Sequence, residues 1–484
     1  MEQLVGWLNN VLWSSPIIYL SLGVGVLFSI MTRFMQVRLV KDMVKLLFKG
    51  EKSDAGITSF QAMSVALSGR VGTGNIAGTA TAIAFGGPGA VFWMWAIAFL
   101  GASTAYVEST LAQIYKVKQD GEYRGGPAYY FEKGIGKKWY GVLFAVSSVL
   151  AMALLMPGVQ ANSIAAGLEN AFGMNTMITA IIIVILLGFI IFGGIKRIAN
   201  TAQFVVPFMA VGYVLVSLIV IALNVTELPN IFVLIFKSAF GMDAAFGGIV
   251  GMAISWGVKR GIYSNEAGQG SGAHAAGAAE VSHPAKQGIV QAFSVYIDTL
   301  IVCSATAFMI LITGMYNTVR PDSTFIVKRL GDMQPGPGYT QSAVESVLPG
   351  FGAGFVAIAL FFFAFTTIMA YYYIAETNIA YLTRKTKSKL PMLLVKIVLL
   401  GATFYGSIRT AAVAWDMGDI GLGLMVWLNL IGILILFKPS MIALKDYEKQ
   451  KKEGIDPVFR PELLGIKHAD FWETEEYRKK YLEK

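Results

Sequence analysis

The residues best suited to chemistry form one stretch, Ser68-Gly69-Arg70-Val71-Gly72-Thr73-Gly74-Asn75-Ile76-Ala77-Gly78. It lies inside an apolar segment otherwise long enough to cross a membrane. Glycine is permissive rather than helix-forming, and a charge at bilayer depth faces a cavity or the bundle interior. Two readings follow. One is a broken helix whose freed backbone groups bind a ligand. The other is a glycine-packed helix crossing, because small residues let helices approach closely. In the first reading the chemistry is recognition. Unwinding exposes main-chain N–H groups on one side of a break and C=O groups on the other. Half-helix N-termini suit a carboxylate, whereas half-helix C-termini and free carbonyls suit a cation.

The elements that hold such a stretch are read from composition and hydropathy. The 484 residues are 55% hydrophobic and only 14% charged, with a mean hydropathy of +0.60. Soluble domains carry about 25% charged residues. Repeated apolar runs of roughly 20 residues indicate an all-α polytopic membrane protein. The formal charge of +9 sits in loops and a tail, which suits a solvated cytoplasmic face better than a nucleic-acid surface. Cys303 is the single cysteine, which excludes an intramolecular disulfide and a cysteine metal cluster, and it reads as a small core residue. His274, His283 and His468 are dispersed in polar segments without catalytic or zinc spacing. The spans hold no nucleophile–base pair, so no enzyme is expected.

Residues 1–14, with Trp7 and Trp13, read as a short interfacial segment, and the absence of a basic n-region argues against a cleaved signal peptide. About eleven transmembrane helices are expected, near 16–35, 57–85, 88–115, 139–168, 175–193, 203–223, 244–270, 286–315, 352–383, 391–412 and 419–437. Pro157 and Pro207 mark expected distortions. Of the basic residues, 30 fall on one side, 4 on the other and 5 within spans. This asymmetry predicts an external N-terminus and a cytoplasmic C-terminus. The resulting organisation is 1–56 (interfacial segment, first span and basic loop), 57–223 (first five helices), 224–243 (external loop with a short surface helix), 244–437 (second five helices, with an irregular external loop at 316–351) and 438–484 (a charged cytoplasmic tail at the membrane surface).

The stretch has a partner. Arg260-Gly261-Ile262-Tyr263-Ser264-Asn265-Glu266-Ala267-Gly268 repeats the Arg, Asn, Ala and Gly of Arg70–Gly78 at identical spacing, 190 residues later. The two copies occupy matching places in helices 2–6 and 7–11, which run in opposite directions. Gly-interrupted helices at corresponding positions of inverted repeats mark a transporter site. A zwitterionic amino acid together with Na⁺ satisfies both ends of such breaks without a buried fixed charge.

Gly72-Thr73-Gly74-Asn75-Ile76-Ala77-Gly78, Gly86-Gly87-Pro88-Gly89-Ala90-Val91-Phe92-Trp93-Met94-Trp95 and Ser264-Asn265-Glu266-Ala267-Gly268 resemble the alanine or glycine:cation symporter family over nearly the whole membrane part. The resemblance implies a LeuT-like 5+5 inverted repeat with discontinuous helices 2 and 7. It also implies a cell-membrane protein of a prokaryote that takes up small neutral amino acids with Na⁺, or in some members H⁺; some relatives prefer glutamine. It places Thr73, Gly74 and Asn75 against the substrate. It implies sodium ligands from the Ser68 and Val71 main-chain oxygens and from Phe363, Thr366 and Thr367. Arg70 departs from this pattern, and is expected to point away from the ion, towards the cytoplasm or an acidic partner.

Each remaining candidate has a plainer alternative. Thr366 and Thr367 either bind the ion or bond back to their own helix. Gln160 and Asn162, beside Pro157-Gly158, line the pocket or make interhelical hydrogen bonds. Trp256, Gly257 and Gly261 are expected where span seven unwinds, with Trp256 as a pocket wall or a core aromatic. Lys259 and Arg260 either join an intracellular gate with Glu266, Glu108 or Glu376, or lie in an inner vestibule. Asn265 and Glu266 cap the second half-helix or touch substrate. Glu108, Asp298 and Glu376 are intramembrane acids able to carry protons, the weaker option beside Na⁺. The expectation is a Na⁺-driven importer of alanine or glycine, with glutamine or serine open, and proton coupling or a passive channel as alternatives. It works at the lipid bilayer, with Na⁺ as coupling ion and no other cofactor.

Overall fold

The computed structural model describes residues 2–48, 55–386 and 388–483. Helices α1 (Glu2–Leu12) and α2 (Ser15–Met31) precede a first interrupted rod, α3 (Ser59–Arg70) and α4 (Thr79–Gly86). Next come α5 (Gly89–Ile114), α6 (Lys138–Leu150), α7 (Pro157–Phe172), α8 (Thr176–Ile191) and α9 (Gly194–Leu223). A connecting helix, α10 (Leu228–Ala239), leads to a second interrupted rod, α11 (Val250–Asn265) and α12 (Gly272–Ala278). The chain continues through α13 (Pro284–Val295), α14 (Ser304–Thr313), α15 (Pro337–Val347), α16 (Gly352–Thr383), α17 (Leu390–Ser407), α18 (Ala411–Leu436) and α19 (Lys438–Lys452). Two small antiparallel hairpins lie in the connections, β1 (Val117–Gln119) with β2 (Glu122–Arg124) and β3 (Asn317–Val319) with β4 (Phe325–Lys328).

Among the described residues eight helical stretches are long and apolar enough to cross a membrane, and α8 is a shorter apolar helix. Ile178, Ile182, Ile185 and Phe189 of α8 and Phe204, Phe208, Val211 and Leu215 of α9 are exposed. Rows of bare apolar side chains on this scale belong against hydrocarbon, where only helices and closed barrels satisfy their own backbone. At the centre lies α5, every residue of which is buried from Gly101 to Ile114. The chain is a multi-pass membrane protein.

Local chemistry sets the element ends. Thr58 and Gln61 form a reciprocal capping box that starts α3. A π-turn over Ala151–Leu155 precedes Pro157, which opens α7 where its missing N–H costs nothing. Pro207, by contrast, sits inside a continuous α9. That helix already begins at Gly194, so the stretch 194–202, expected as a loop, is helical. The connection 316–351, expected to be irregular, contains the β3–β4 hairpin and the buried helix α15.

The two interrupted rods lie side by side and antiparallel. Ile57, at the start of the first, bridges to Ala279, just past the end of the second. In the middle, a Cβ on Gly74 would stand 3.0 Å from Ser264 Cα. At the far end, a Cβ on Gly86 would stand 3.2 Å from Ala253 Cα. The Ile57–Ala279 end also carries the tail. The tail folds onto the connections. Tyr477 Oη donates to Ser282 O at 2.8 Å, and Trp472 Nε1 donates to Gln113 O at 2.9 Å. Lys116 is buried beneath it, with Nζ 3.0 Å from Ala279 O and 4.3 to 5.0 Å from the ring centres of Tyr123, Phe471 and Trp472. Burial pulls this amine down to about 7, with Glu280 acting in the opposite sense.

Candidate functional site

The first break opens between α3 and α4. Val71 leaves the helical region (φ −76°, ψ 89°), and a π-turn over Gly74–Gly78 resumes the rod. Asn75 stabilises the opening by accepting from Gly72 N at 2.8 Å, and Thr73 N donates to Gln160 Oε1 at 3.0 Å. Gln160 in turn donates to Tyr371 Oη at 3.2 Å. Thr73 Oγ1 is buried with no hydrogen-bond partner among the described residues. Asn162 takes the alternative left open for it, donating across to Gly406 O at 3.2 Å and Arg409 O at 2.6 Å.

Oxygens gather where the end of α3 meets α16. Thr367 Oγ1 lies 2.8 Å from Ser68 O, 3.0 Å from Phe363 O and 3.4 Å from Val71 O. Thr366 Oγ1 lies 3.0 Å from Phe363 O and bonds back to its own helix. All five atoms are neutral hard oxygens and all five residues are buried. Gly72 makes the approach possible, because a Cβ there would fall well under 3.0 Å from Thr367 Oγ1. The donor set therefore fits a small monovalent cation.

The second break lies further along than expected. Helix α11 runs unbroken through Trp256, Gly257 and Gly261 and ends at Asn265. The chain then opens over residues 266–271, with positive φ at Glu266 (56°), Gly268 (89°) and Gly270 (81°). Glycine tolerates that region freely, and Glu266 occupies it at a cost. Asn265 caps the opening by accepting from Ala267 N at 3.0 Å. Gly257 and Gly261 serve instead as a crossing. A Cβ on Gly257 would meet Ala90 O at 2.5 Å, and one on Gly261 would meet Ile97 Cγ2 under 3.0 Å. Trp256 is also away from the breaks, stacked on Phe85 at 4.6 Å.

A polar junction that sequence reasoning missed ties the two breaks together. Asp298 Oδ1 accepts from Asn75 Nδ2 at 2.6 Å and from Ser264 Oγ at 3.1 Å, and its Oδ2 accepts from Thr299 Oγ1 at 2.6 Å. Cys303 is the small core residue expected, packed with Ala82, Ala90 and Met94, and its Sγ also borders the junction, 3.3 Å from Asn75 Nδ2 and 3.1 Å from Ser264 Oγ. The available signal was Asp298 itself, a lone acid in the apolar segment 286–315.

The two matched arginines have different surroundings. Arg70 reaches past Gly272 to α13, where its Nη1 donates to Ser294 Oγ and to Gln291 O at 3.3 Å. Arg260 binds Asp419 through both nitrogens at 2.8 and 3.1 Å, and Lys259 meets the same carboxylate at 2.7 Å. Neither basic residue pairs with Glu266, Glu108 or Glu376, the partners expected for them. Glu376 lies instead 3.9 Å from Arg124. Both bases, with Trp256, Trp13 and Trp415, line a cavity of about 700 Å³. It opens beside α1, at the end opposite the tail and away from the side where these bases were expected. His274, within α12, and His283, in the connection before α13, are both buried; His283 caps α13 and lies 3.1 Å from Asp446.

Two antiparallel membrane helices, opened at adjoining points and joined through the side chains of Asn75, Asp298 and Ser264, are the arrangement expected of a carrier. A model of the sodium:alanine symporter family matches residues 1–461, and the chain belongs to that family. It is 70% identical over 98% of both chains to the Bacillus subtilis protein YrbD, whose own assignment as a sodium/proton-dependent alanine carrier is provisional. It is 57% identical to the sodium/proton-dependent alanine carrier protein of Bacillus sp. PS3, over 89% of this chain and 97% of that one. It is 45% identical to the B. subtilis protein GlnT, provisionally a sodium/glutamine symporter, over 96% of this chain and 94% of that one. The chain is a cation-coupled amino-acid symporter.

Proposed function

We propose that this carrier imports alanine with Na⁺ by alternating access in a LeuT-like arrangement of eleven spans, with the N-terminus outside and the tail in the cytoplasm. The observation that carries the ion site is the gathering of Ser68 O, Val71 O, Phe363 O and the Thr366 and Thr367 hydroxyls behind Gly72. Na⁺ held there bonds the end of α3 to α16, two elements otherwise joined through Thr367. The substrate sits beside it against Thr73, Gly74, Asn75 and Gln160, its carboxylate replacing the Asn75 and Gln160 oxygens that now hold the Gly72 and Thr73 amides. Asp298 then reports occupancy from one rod to the other, since it holds Asn75 of the first and Ser264 of the second. Ion and substrate shift the carrier towards its closed form only by binding that form more tightly.

Alanine is favoured by the two most similar carriers described above, and glutamine is the runner-up through the third. Purified protein in liposomes is assayed for uptake of alanine, glycine, serine and glutamine, with and without an imposed Na⁺ gradient. Alanine accumulation that follows the gradient is expected. Equal accumulation with no ion gradient refutes coupled transport, and preferred uptake of glutamine refutes the substrate assignment.

A further inference from the structure

The breaks are surrounded by charges that do not balance. Arg70, Glu108, Glu266 and Asp298 are all buried, each 2% exposed or less. If all four ionise, one positive charge faces three negative ones. Leaving charge uncompensated in a low-dielectric interior is strongly unfavourable. One Na⁺ in the oxygen cage offsets a single charge, and a further cation is needed.

The three acids differ in how far their ionised forms are supported. Asp298 accepts from three side chains over both oxygens, the pattern of an ionised carboxylate. Glu266 accepts from Ser271 Oγ at 2.7 Å, and its Oε1, like that of Glu108, is buried without a partner among the described residues. Glu108 is the acid that holds the open segment of the second rod from a separate helix, α5. Its Oε2 accepts two neutral amide donors, Gly270 N at 3.1 Å and Asn429 Nδ2 at 2.9 Å. Its Oε1 is fully buried and has no partner among the described residues. A bare anionic oxygen costs far more in such surroundings than a neutral hydroxyl.

We propose that Glu108 is the proton-binding site of this carrier, a proposal that rests on its being a cation-coupled amino-acid symporter. The carboxylate takes a proton from water at Oε1 in one orientation and returns it to water in the other. The groups facing it are Arg70 from α3, Glu266 from the second break and Tyr130 from the connection before α6, while α18 presents the uncharged Asn429. Binding is linked to movement through Gly270. An ionised carboxylate accepts a hydrogen bond more strongly than a neutral one, so the unprotonated acid grips the open segment of the second rod. The proton loosens that grip. Asn429 transmits the same change, because its Nδ2 also donates to Gly268 O at 2.9 Å.

The test uses the full chain in liposomes with a pH-sensitive dye inside. Wild type is expected to acidify the lumen when alanine enters down an imposed pH gradient without Na⁺. In Glu108→Gln, pH-driven alanine uptake is expected to fall at least about tenfold relative to Na⁺-driven uptake by the same variant. An unchanged ratio overturns the proposal, as does loss of proton movement in Asp298→Asn or Glu266→Gln while Glu108→Gln retains it. If Glu108→Gln folds poorly, Glu108→Asp is read instead. It keeps a carboxyl in altered surroundings, so the pH midpoint of uptake must move, and an unmoved midpoint overturns the proposal. Wild type that shows Na⁺-driven uptake without lumen acidification overturns this proposal alone. Wild type that shows neither overturns the symport reading.

Discussion

Gly72→Ala tests the ion site most directly. The added Cβ would sit well under 3.0 Å from Thr367 Oγ1, 3.2 Å from Thr367 Cβ and 3.0 Å from Gln160 Oε1. Thr367 has little freedom to yield, because β-branched side chains in helices hold few χ1 wells. Its hydroxyl is also committed to Ser68 O and Phe363 O. Overpacking of this kind costs about 1–3 kcal/mol. Relief by moving Thr367 away removes it from the ion, so the cost falls on the ion-bound form. The apparent Na⁺ affinity is expected to drop about 5- to 150-fold. The assay is initial alanine uptake into liposomes titrated with Na⁺, alongside a thermal melt of the purified variant. Gly401→Ala in α17 is the control, since a Cβ there meets nothing within 4 Å. A folded Gly72→Ala protein whose half-saturating Na⁺ stays within about twofold of wild type would refute the reasoning.

Asp419→Asn leaves Lys259 and Arg260 without their shared anion, and breaking a buried pair costs about 3–5 kcal/mol. The purified variant should melt several degrees lower, and an unchanged melt would refute the pairing. Gly257→Ala pushes on Ala90 O and is expected to reduce folded protein while leaving the alanine-to-glutamine uptake ratio unchanged. A shifted ratio would restore Gly257 to the substrate site. Lys116 links tail docking to pH. Its docked amine titrates at about 7, against about 10.4 for a free lysine. Between those values only the undocked state holds the proton, so docking strengthens as pH rises and is flat below 7. Protease cleavage of the tail should be slower at the alkaline end of that window in wild type and pH-independent in Lys116→Met.

Sequence alone determined the class of this protein and the place of the first break. Apolar length, the lopsided basic residues and the Gly72-Thr73-Gly74-Asn75 run are local properties, and an interrupted helix inside lipid leaves few other outcomes. Thr366 and Thr367 became legible only through the family resemblance. Tertiary structure decided what the other glycines do. Gly257 and Gly261 looked like a break and are a crossing, because α5 packs against them. The real opening at 266–271 had its own signal in Gly268 and Gly270, but a glycine reads identically whether it bends a chain or admits a neighbour. The same holds for charge. Arg70 and Arg260 match in the repeat, yet one reaches Gln291 and Ser294 and the other Asp419. These partners lie 159 to 224 residues away, and no local pattern encodes a pairing made only when the two rods and their neighbours pack.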